Sequence, residues 1–389
     1  MDSAEREGLR QKGNVPILRF PEFQGEWEMC RLEDVCSFFS GGTPSSSNKE
    51  FYGGNIPFIR SGELHKEETE LFITQSGYEH SSAKMVETGD ILLAMYGATS
   101  GDIAISKING AINQAILCIR TKHNKKFIES VWNKHVSKIL MKYLQGGQGN
   151  LSADIVKRIS FSLPSLAEQE RISQFMQLID ERIATQSKVI DKLQSLIKGI
   201  VNYTILRKEQ NATIGDVCSV SEQIRAEAKI DDIITVRLHG NGVCKSSAEN
   251  LQLGATQYYR RRAGQLIYGK QNFHNGAIGI VPLCLDNGIT SKDIPSFDID
   301  KVKCNYIYLL AQLQSPQYYK PTEALTTGTG SKRLKEETFL KMPIVLPNKR
   351  EQDNIAVLIH RASMNLDHAK RLLELLTIQK QYLLHQMFI

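Results

Sequence analysis

Two stretches of the 389-residue chain carry apolar side chains four and three residues apart, alternately, over nine positions each. The first runs Ile172, Met176, Ile179, Ile183, Gln186, Ile190, Leu193, Ile197 and Ile200. An offset of 183 turns it into Ile355, Ile359, Ala362, Leu366, Ala369, Leu373, Leu376, Lys380 and Leu383. This 4-3 alternation marks a narrow coiled-coil seam rather than the broader stripe of a helix lying on a core. The two polar exceptions, Gln186 and Lys380, are placed to set register. Both helix starts are also written in the sequence, as Ser165-x-x-Glu168 and Asn348-x-x-Glu351. In such a capping box the short polar side chain accepts a free N–H of the first turn and the Glu reaches back. Neither helix buries its seam alone, so each is predicted to pack on the other. A pseudo-dyad crossing the pair makes them antiparallel, and about 38 residues at 1.5 Å each give roughly 57 Å of rod.

The same offset organises the rest of the chain. Ile155–Ile172 (IVKRISFSLPSLAEQERI) aligns without gaps to Thr338–Ile355 (TFLKMPIVLPNKREQDNI), so Leu163-Pro164 answers Leu346-Pro347 and Glu168-Gln169 answers Glu351-Gln352. Upstream, Leu32–Cys36 answers Ile214–Cys218, Thr88–Leu93 answers Ala263–Tyr268, and the Gly-rich loop Gly146–Asn150 answers Thr327–Ser331. The chain therefore reads as one unit of about 180 residues used twice. Short β-rich runs between Gly, Asn and Ser turns (Asp90–Tyr96, Ala115–Thr121, Ala277–Leu283) and two helical stretches (Phe127–Leu144, Tyr306–Tyr319) make the globular parts α+β. The expected organisation is a polar tail over 1–14, a globular domain over 15–164, a helix over 165–207, a second globular domain over 208–347 and a second helix over 348–389.

Composition narrows the class. At 41% hydrophobic and 23% charged residues the chain is of ordinary globular make-up, which excludes disordered and fibrous proteins. It holds no run of about 18 apolar residues, and its polar opening MDSAEREGLRQKGN lacks an apolar signal core. A cytoplasmic protein without membrane segments is expected. Seven cysteines are scattered and never spaced C-x2-C, so reduced thiols are expected rather than a disulfide framework or a structural metal site. The net charge of +6 permits a nucleic-acid partner without demanding one. Its placement is informative: residues 1–166 hold 19 basic and 19 acidic side chains, residues 207–349 hold 19 and 14, and the two helices are nearly neutral.

Several features together resemble the specificity subunit of type I restriction-modification systems, over essentially the whole chain from Val15. They are the duplicated LP-x3-EQ motifs heading long helices, the opening VPILRFPEFQGEWEMCRLEDV, the Gly41–Ser45 loop GGTPS and the terminal QKQYLLHQMF. The resemblance implies two target-recognition domains, each reading half of a bipartite, asymmetric double-stranded DNA site, joined by two long antiparallel helices. It also implies docking of two adenine-methylating subunits and, through that complex, of ATP-dependent restriction subunits. Catalysis, with its S-adenosylmethionine, ATP and Mg²⁺, then lies in the partners, and this chain is a non-catalytic subunit without a cofactor. The alternative is a two-domain coiled-coil assembly scaffold with no DNA role, which leaves the matching Gly-rich and basic loops unexplained.

Three motifs are set aside. Gly264-x4-Gly269-Lys270 imitates a phosphate loop, but Gln271 stands where the Mg²⁺-binding hydroxyl is required. Ser315-Pro316-Gln317-Tyr318 lacks the second proline of an adenine-gripping loop, and His239 and His274 have no carboxylate or thiol at ligand spacing. Base reading in the major groove takes forked or bidentate side chains, and phosphate positioning takes Lys, Arg, Ser, Thr or backbone N–H groups. In the first unit the candidate DNA contacts are Thr43 and Ser45, Arg60 and Ser61 after the apolar IPFI run, Tyr96 ending a strand, and Gln148 and Asn150 in the Gly-rich loop. In the second they are Tyr259, Arg260, Arg261, Lys270, Gln271, Asn272, His274, Lys332 and Arg333. For each the competing reading is a solvated loop side chain, and for Arg60 an ion pair with Glu63.

Overall fold

The computed structural model describes residues 13–143, 151–227, 229–246, 256–328 and 332–389. The chain forms two compact units, Met1–Gln186 with Leu372–Ile389, and Ser187–Arg371. In the first unit, β1 (Glu28–Arg31) pairs antiparallel with β10 (Ser160–Leu163). Its main sheet has the order β2 (Cys36–Ser40), β9 (Ile116–Thr121), β6 (Ile91–Ala94), β7 (Ile103–Ile105), all antiparallel. A second sheet has the order β4 (Phe72–Ile73), β3 (Tyr52–Ile59), β8 (Gly110–Ile112), β5 (Lys84–Val86), with β3 and β8 parallel. Strand β6 and the first four residues of β9 read as unbroken apolar runs because both faces of the sheet are covered there, and successive side chains point to opposite faces. Ile91, Leu93, Leu117 and Ile119 join a core with Phe127 and Trp132 of helix α1 (Lys125–Tyr143). Leu92, Ala94, Ile116 and Cys118 join a second core with Val86 and Ile112.

The second unit repeats this plan. β11 (Ala212–Thr213) pairs with β21 (Pro343–Ile344). The main sheet is again antiparallel, in the order β12 (Cys218–Val220), β20 (Ser296–Ile299), β17 (Leu266–Tyr268), β18 (Ile278–Ile280). The other strands are β13 (Arg225–Ala226), β16 (Tyr258–Arg260) and β19 (Ile289–Ser291) in one sheet, and a β14 (Ile234–Val236), β15 (Val243–Lys245) hairpin. Leu266, Tyr268 and Phe297 face one core while Ile267 faces another. Tyr268 lies buried against Phe339, ring centroids 4.5 Å apart.

Two long helices, α2 (Leu166–Val201) and α4 (Lys349–Met387), each run through both units. In the first unit Ile172 and Met176 near the start of α2 share a core with Leu383, Leu384 and Met387 at the end of α4. In the second, Ile200 and Val201 at the end of α2 share a core with Ile355, Ala356 and Ile359 at the start of α4. The helices are therefore antiparallel within each unit. Every one of the eighteen seam positions is buried or half-buried. Lys380, polar within the seam, reaches Asp180 on α2 at 2.6 Å, and Asp180 also holds Lys126 of α1 at 2.6 Å.

What fixes each long helix to its globular unit is the glutamine of the repeated LP-x3-EQ motif. Gln169 is fully buried; its Oε1 accepts from the Asn124 N–H at 3.2 Å and its Nε2 donates to the Pro164 carbonyl at 2.9 Å. Gln352 does the same in the second unit, accepting from the Asn305 N–H at 2.9 Å and donating to the carbonyls of Pro347 at 2.8 Å and Lys303 at 3.0 Å. Asn305 in turn caps α3 (Tyr306–Leu313), its Oδ1 accepting from the Ile307 and Tyr308 N–H groups. Asn124 accepts from the Phe127 N–H at the corresponding start of α1.

The capping boxes form only by half. Ser165 Oγ and Asn348 Oδ1 accept the N–H groups of Glu168 and Glu351. The two carboxylates do not reach back: buried Glu168 takes a two-point bond from Arg19 at 2.7 Å and the Trp27 indole N–H at 3.3 Å, and Glu351 pairs with Lys208. A partner 149 residues away competes successfully because it satisfies a carboxylate that burial would otherwise leave unpaired.

Gln352→Leu preserves volume but leaves the Asn305 N–H and two part-buried carbonyls without their side-chain partner. At about 1–3 kcal/mol for each unsatisfied group, denaturant unfolding should show a loss of about 3 kcal/mol or more. A wild-type midpoint would show that the glutamine does not hold the helix.

Candidate nucleic-acid interface

One end of the first unit's sheets gathers most of its sequence-predicted donors. Parallel pairing sets Ile59 beside Ile112, so Arg60 and Asn113 leave the same end. Asn113 Oδ1 accepts from the Ala115 N–H at 3.0 Å and closes a turn over Gln114. Gly41 donates to the Asn113 carbonyl at 3.3 Å; a Cβ there would lie 1.8 Å from the Ile112 carbonyl oxygen, so only glycine brings the GGTPS loop this close. Thr43 Oγ1 then donates to Gln114 Oε1 at 2.7 Å, and Ser45 Oγ lies 2.7 Å from Ser47 Oγ; both are exposed. The Met95 N–H donates to the Ala115 carbonyl at 2.8 Å, which brings the following Tyr96, half-buried, to the same end. Leu151 donates to the Met95 carbonyl at 3.0 Å. Gln148 and Asn150 lie outside the described residues. Ser61 is half-buried at the head of a 3-10 turn, Ser61–Glu63.

The second unit builds the same end from different side chains. Lys270 donates through its N–H to the Asp293 carbonyl at 2.9 Å and accepts at its own carbonyl from Leu334 at 2.8 Å, matching Met95, Ala115 and Leu151 bond for bond. Ser291 Oγ accepts from the Asp293 N–H at 3.3 Å, as Asn113 does for Ala115. Around this turn an open cleft is lined by Lys270, Lys292, Asp293, Thr327, Arg333 and Glu336. Gln271 and Asn272 are exposed beside it, at positions where side chains leave the end of β17. Lys332 is exposed and lies 3.8 Å from Glu323. His274 is half-buried: its Nδ1 has no partner among the described residues and its Nε2 lies 3.2 Å from the Asn275 amide.

Several placements differ from expectation. Arg261 is fully buried, so it cannot reach DNA. Its guanidinium donates to Thr290 Oγ1 at 2.8 Å, Ser296 Oγ at 2.9 Å and the Ile294 carbonyl at 3.0 Å. Burial without a carboxylate partner at hydrogen-bonding distance pulls its pKa down to about 10. By strand register, Arg261, Thr290 and Ser296 occupy the places of Val86, Ile112 and Cys118 in the first unit, a wholly apolar cluster. Arg260 pairs in register with Ile289, away from the Lys270 end, and lines a separate shallow pocket with Asp231, Asp232 and Asp286. Tyr259 is half-buried beneath the Arg261 guanidinium, 5.7 Å from ring centroid to Cζ. Lys270, expected to project outward, is mostly covered and bonded to Glu336 at 2.8 Å. Arg333 pairs with Asp293 at 3.1 Å. Arg60 makes the anticipated ion pair with Glu63 at 2.8 Å.

Sequence reasoning missed Gln114 and Lys292, exposed at the same step of the equivalent turns. The available signal was Asn-Gln-Ala and Ser-Lys-Asp following a short apolar strand, where the first side chain caps the turn and aims the second outward.

The chain is thus a duplicated α+β unit with one loop end rich in bidentate donors, each copy clamped to the start of a long helix. Residues 24–195 match the family model described as type I restriction modification DNA specificity domain. The specificity subunit of the type I restriction enzyme EcoR124I/EcoR124II of Escherichia coli is 27% identical over 175 residues, 42% of this chain and 43% of that protein. The specificity subunit of the type I restriction enzyme MjaVIII of Methanocaldococcus jannaschii is 21% identical over 374 residues, 87% of this chain and 86% of the other. The crystal structure of the type I restriction-modification S subunit from M. genitalium superposes with a TM-score of 0.62 at 12% identity, over 96% of this chain and 99% of that one. The match thus spans less than half of the Escherichia coli relative and most of the other two. Residues 24–195 thus match a type I restriction modification DNA specificity domain, and the chain as a whole is similar to specificity subunits of type I restriction-modification systems.

Replacing Arg261 by Val strands the Ser296 hydroxyl in the core and leaves Thr290 Oγ1 only its bond to the Ile294 carbonyl, so the second unit should lose about 1–3 kcal/mol. Adding Thr290→Ile and Ser296→Cys installs the first unit's apolar set and should recover most of that loss in thermal unfolding. Failure of the triple variant to recover would mean that the two cores are not equivalent.

Proposed function

We propose that the chain sets the DNA specificity of a type I restriction-modification complex, each unit reading one half of a bipartite, asymmetric site. The observation that carries this reading is the repeated loop end: two turns of the same backbone geometry present Thr43, Gln114, Arg60 and Tyr96 in one unit and Gln271, Asn272, Lys292 and Arg333 in the other. Amide and guanidinium groups pair with adenine and guanine edges, while Lys and hydroxyl groups suit phosphates. The methylation subunits, two in number, and through them the restriction subunits would supply the chemistry that uses S-adenosylmethionine, ATP and Mg²⁺. Support for docking comes from apolar side chains off the seam: Leu375, Ile378 and Tyr382 on α4 and Val189, Leu196 and Tyr203 at seven-residue intervals along α2 and the turn that follows it are 40–72% exposed.

Gln271→Ala with Asn272→Ala should alter one half of the methylated motif and leave the other unchanged, with about 1–3 kcal/mol of discrimination lost per bidentate contact. Mapping methylated adenines in cells carrying the variant complex reads this directly. A motif changed in both halves would contradict independent reading. One whole heptad added to each long helix keeps the seam and adds about 10 Å. It should lengthen the unread spacer by roughly three base pairs. A scaffold without a DNA role is separated by salt: DNA binding that weakens steeply with ionic strength is expected here and absent there.

A further inference from the structure

Arg60 is held by two carboxylates of very different standing. Glu63 is buried, its side chain 4% exposed. Its Oε2 accepts from Arg60 Nε at 3.1 Å, from the Arg60 backbone N–H at 3.3 Å and from Thr69 Oγ1 at 3.0 Å, while Oε1 accepts from Arg60 Nη2 at 2.8 Å. The guanidinium beside it, more than any other group, holds the Glu63 carboxyl down at about 2, so it stays ionised under all ordinary conditions. Glu70, by contrast, is 75% exposed; of the guanidinium it touches only Nη2, at 3.0 Å, and its other oxygen lies 3.6 Å from the exposed Lys66 Nζ. Arg60 itself is 46% exposed, and its Nη1 donates no hydrogen bond among the described residues.

The fork of an arginine has two edges that grip paired acceptors. Glu63 takes the inner edge, Nε with Nη2. The outer edge, Nη1 with Nη2, faces away from it and is blocked only by Glu70. That is the edge that meets a guanine O6 and N7, or two oxygens of a phosphate. An exposed ion pair contributes little and yields readily to a competitor, whereas a buried, fully bonded carboxylate does not. Arg60 also leaves its strand beside Asn113, at the end where Thr43, Gln114 and Tyr96 meet.

We propose that Glu63 is a positioning residue that locks Arg60 for DNA, and that Glu70 is a placeholder on the outer edge which the DNA acceptor pair displaces. This rests on the reading of the loop end as the DNA-facing one. In the free protein the placeholder keeps the arginine from binding stray anions and prevents the fork from swinging. On DNA, Glu70 is released into water at small cost and the fork is already in place, so little side-chain entropy is lost.

The test uses the full-length chain with a randomised duplex pool, sequencing the bound fraction and measuring affinity for the best sequence. Glu70→Gln should bind about two- to fivefold more tightly with the same sequence preference. Glu63→Gln should lose preference at one position, or about tenfold affinity on all sequences, while the half-site of the second unit is retained. Loss at a single position identifies a guanine; a uniform loss with a shallower salt dependence identifies a phosphate. Since Glu63 is buried, Arg60→Lys serves beside it: the charge stays, the fork goes, and the same loss is expected. Unchanged or weaker binding by Glu70→Gln overturns the placeholder. Wild-type behaviour of both Glu63→Gln and Arg60→Lys overturns the positioning role. If Arg60→Ala also binds and selects like wild type, Arg60 does not face DNA, and if no variant binds DNA in a salt-dependent way the proposed function itself fails.

Discussion

A single buried amide carries the architecture of each unit. Gln169 and Gln352 sit in the first turn of a long helix, yet their hydrogen bonds run to the proline just ahead of the helix and to the residue that caps a second helix in the globular body. Glutamine suits this place because one side chain offers both an acceptor and a donor, and the two backbone groups it meets need one of each. Apolar seams hold the two long helices side by side, but a seam alone leaves their rotation relative to the sheets undefined. The amide fixes that rotation, because a slip of one residue would break its bonds to the backbone groups on either side. The preceding Leu-Pro ends a strand paired to the start of the unit in the first copy and lies just past such a strand in the second, so strand, turn and helix form one rigid corner.

The two copies keep this corner and let the rest diverge. Their main sheets share strand order and sense, and the bonds from Met95 and Lys270 to the neighbouring turn are the same bonds. Side chains differ freely wherever that backbone frame does not depend on them. A cluster of Val86, Ile112 and Cys118 is replaced by a buried arginine with two hydroxyls, and both solutions fill the space beneath the same sheet. At the loop end the variation is of another kind, since it changes which hydrogen-bonding edges face solvent. The cations there are restrained: Arg60 by Glu63 and Glu70, Lys270 by Glu336, and Arg333 by Asp293. Such pairing lowers the local positive charge without removing the donors, which agrees with a first unit of zero net formal charge over residues 1–166.

Much of the frame was legible in the sequence because it depends on local periodicity. The 4-3 seam, the antiparallel pairing implied by the repeat and the α+β units all follow from patterns a few residues long or from one offset. The site was legible only in part. Strand ends and Gly-rich loops pointed to Thr43, Arg60, Tyr96, Gln271, Asn272 and Arg333. An arginine next to a tyrosine pair looks the same whether it faces solvent or core, so the burial of Arg261 was hidden. Its partners, Thr290 and Ser296, are 29 and 35 residues away. The capture of Lys270 by Glu336 and of Glu168 by Arg19 was hidden for the same reason. Gln114 and Lys292 escaped notice because a three-residue turn after a short strand carries no motif beyond its capping side chain.

The central claim is that each unit's loop end faces DNA. Amide hydrogen exchange on the full-length chain, with and without its selected duplex, tests it most directly. The account predicts protection on DNA binding at the turns around Gln114 and Lys292 and at the strand ends near Tyr96 and Gln271, in both units. Protection confined to one unit, or centred on the Arg260 and Asp286 pocket instead, would contradict it.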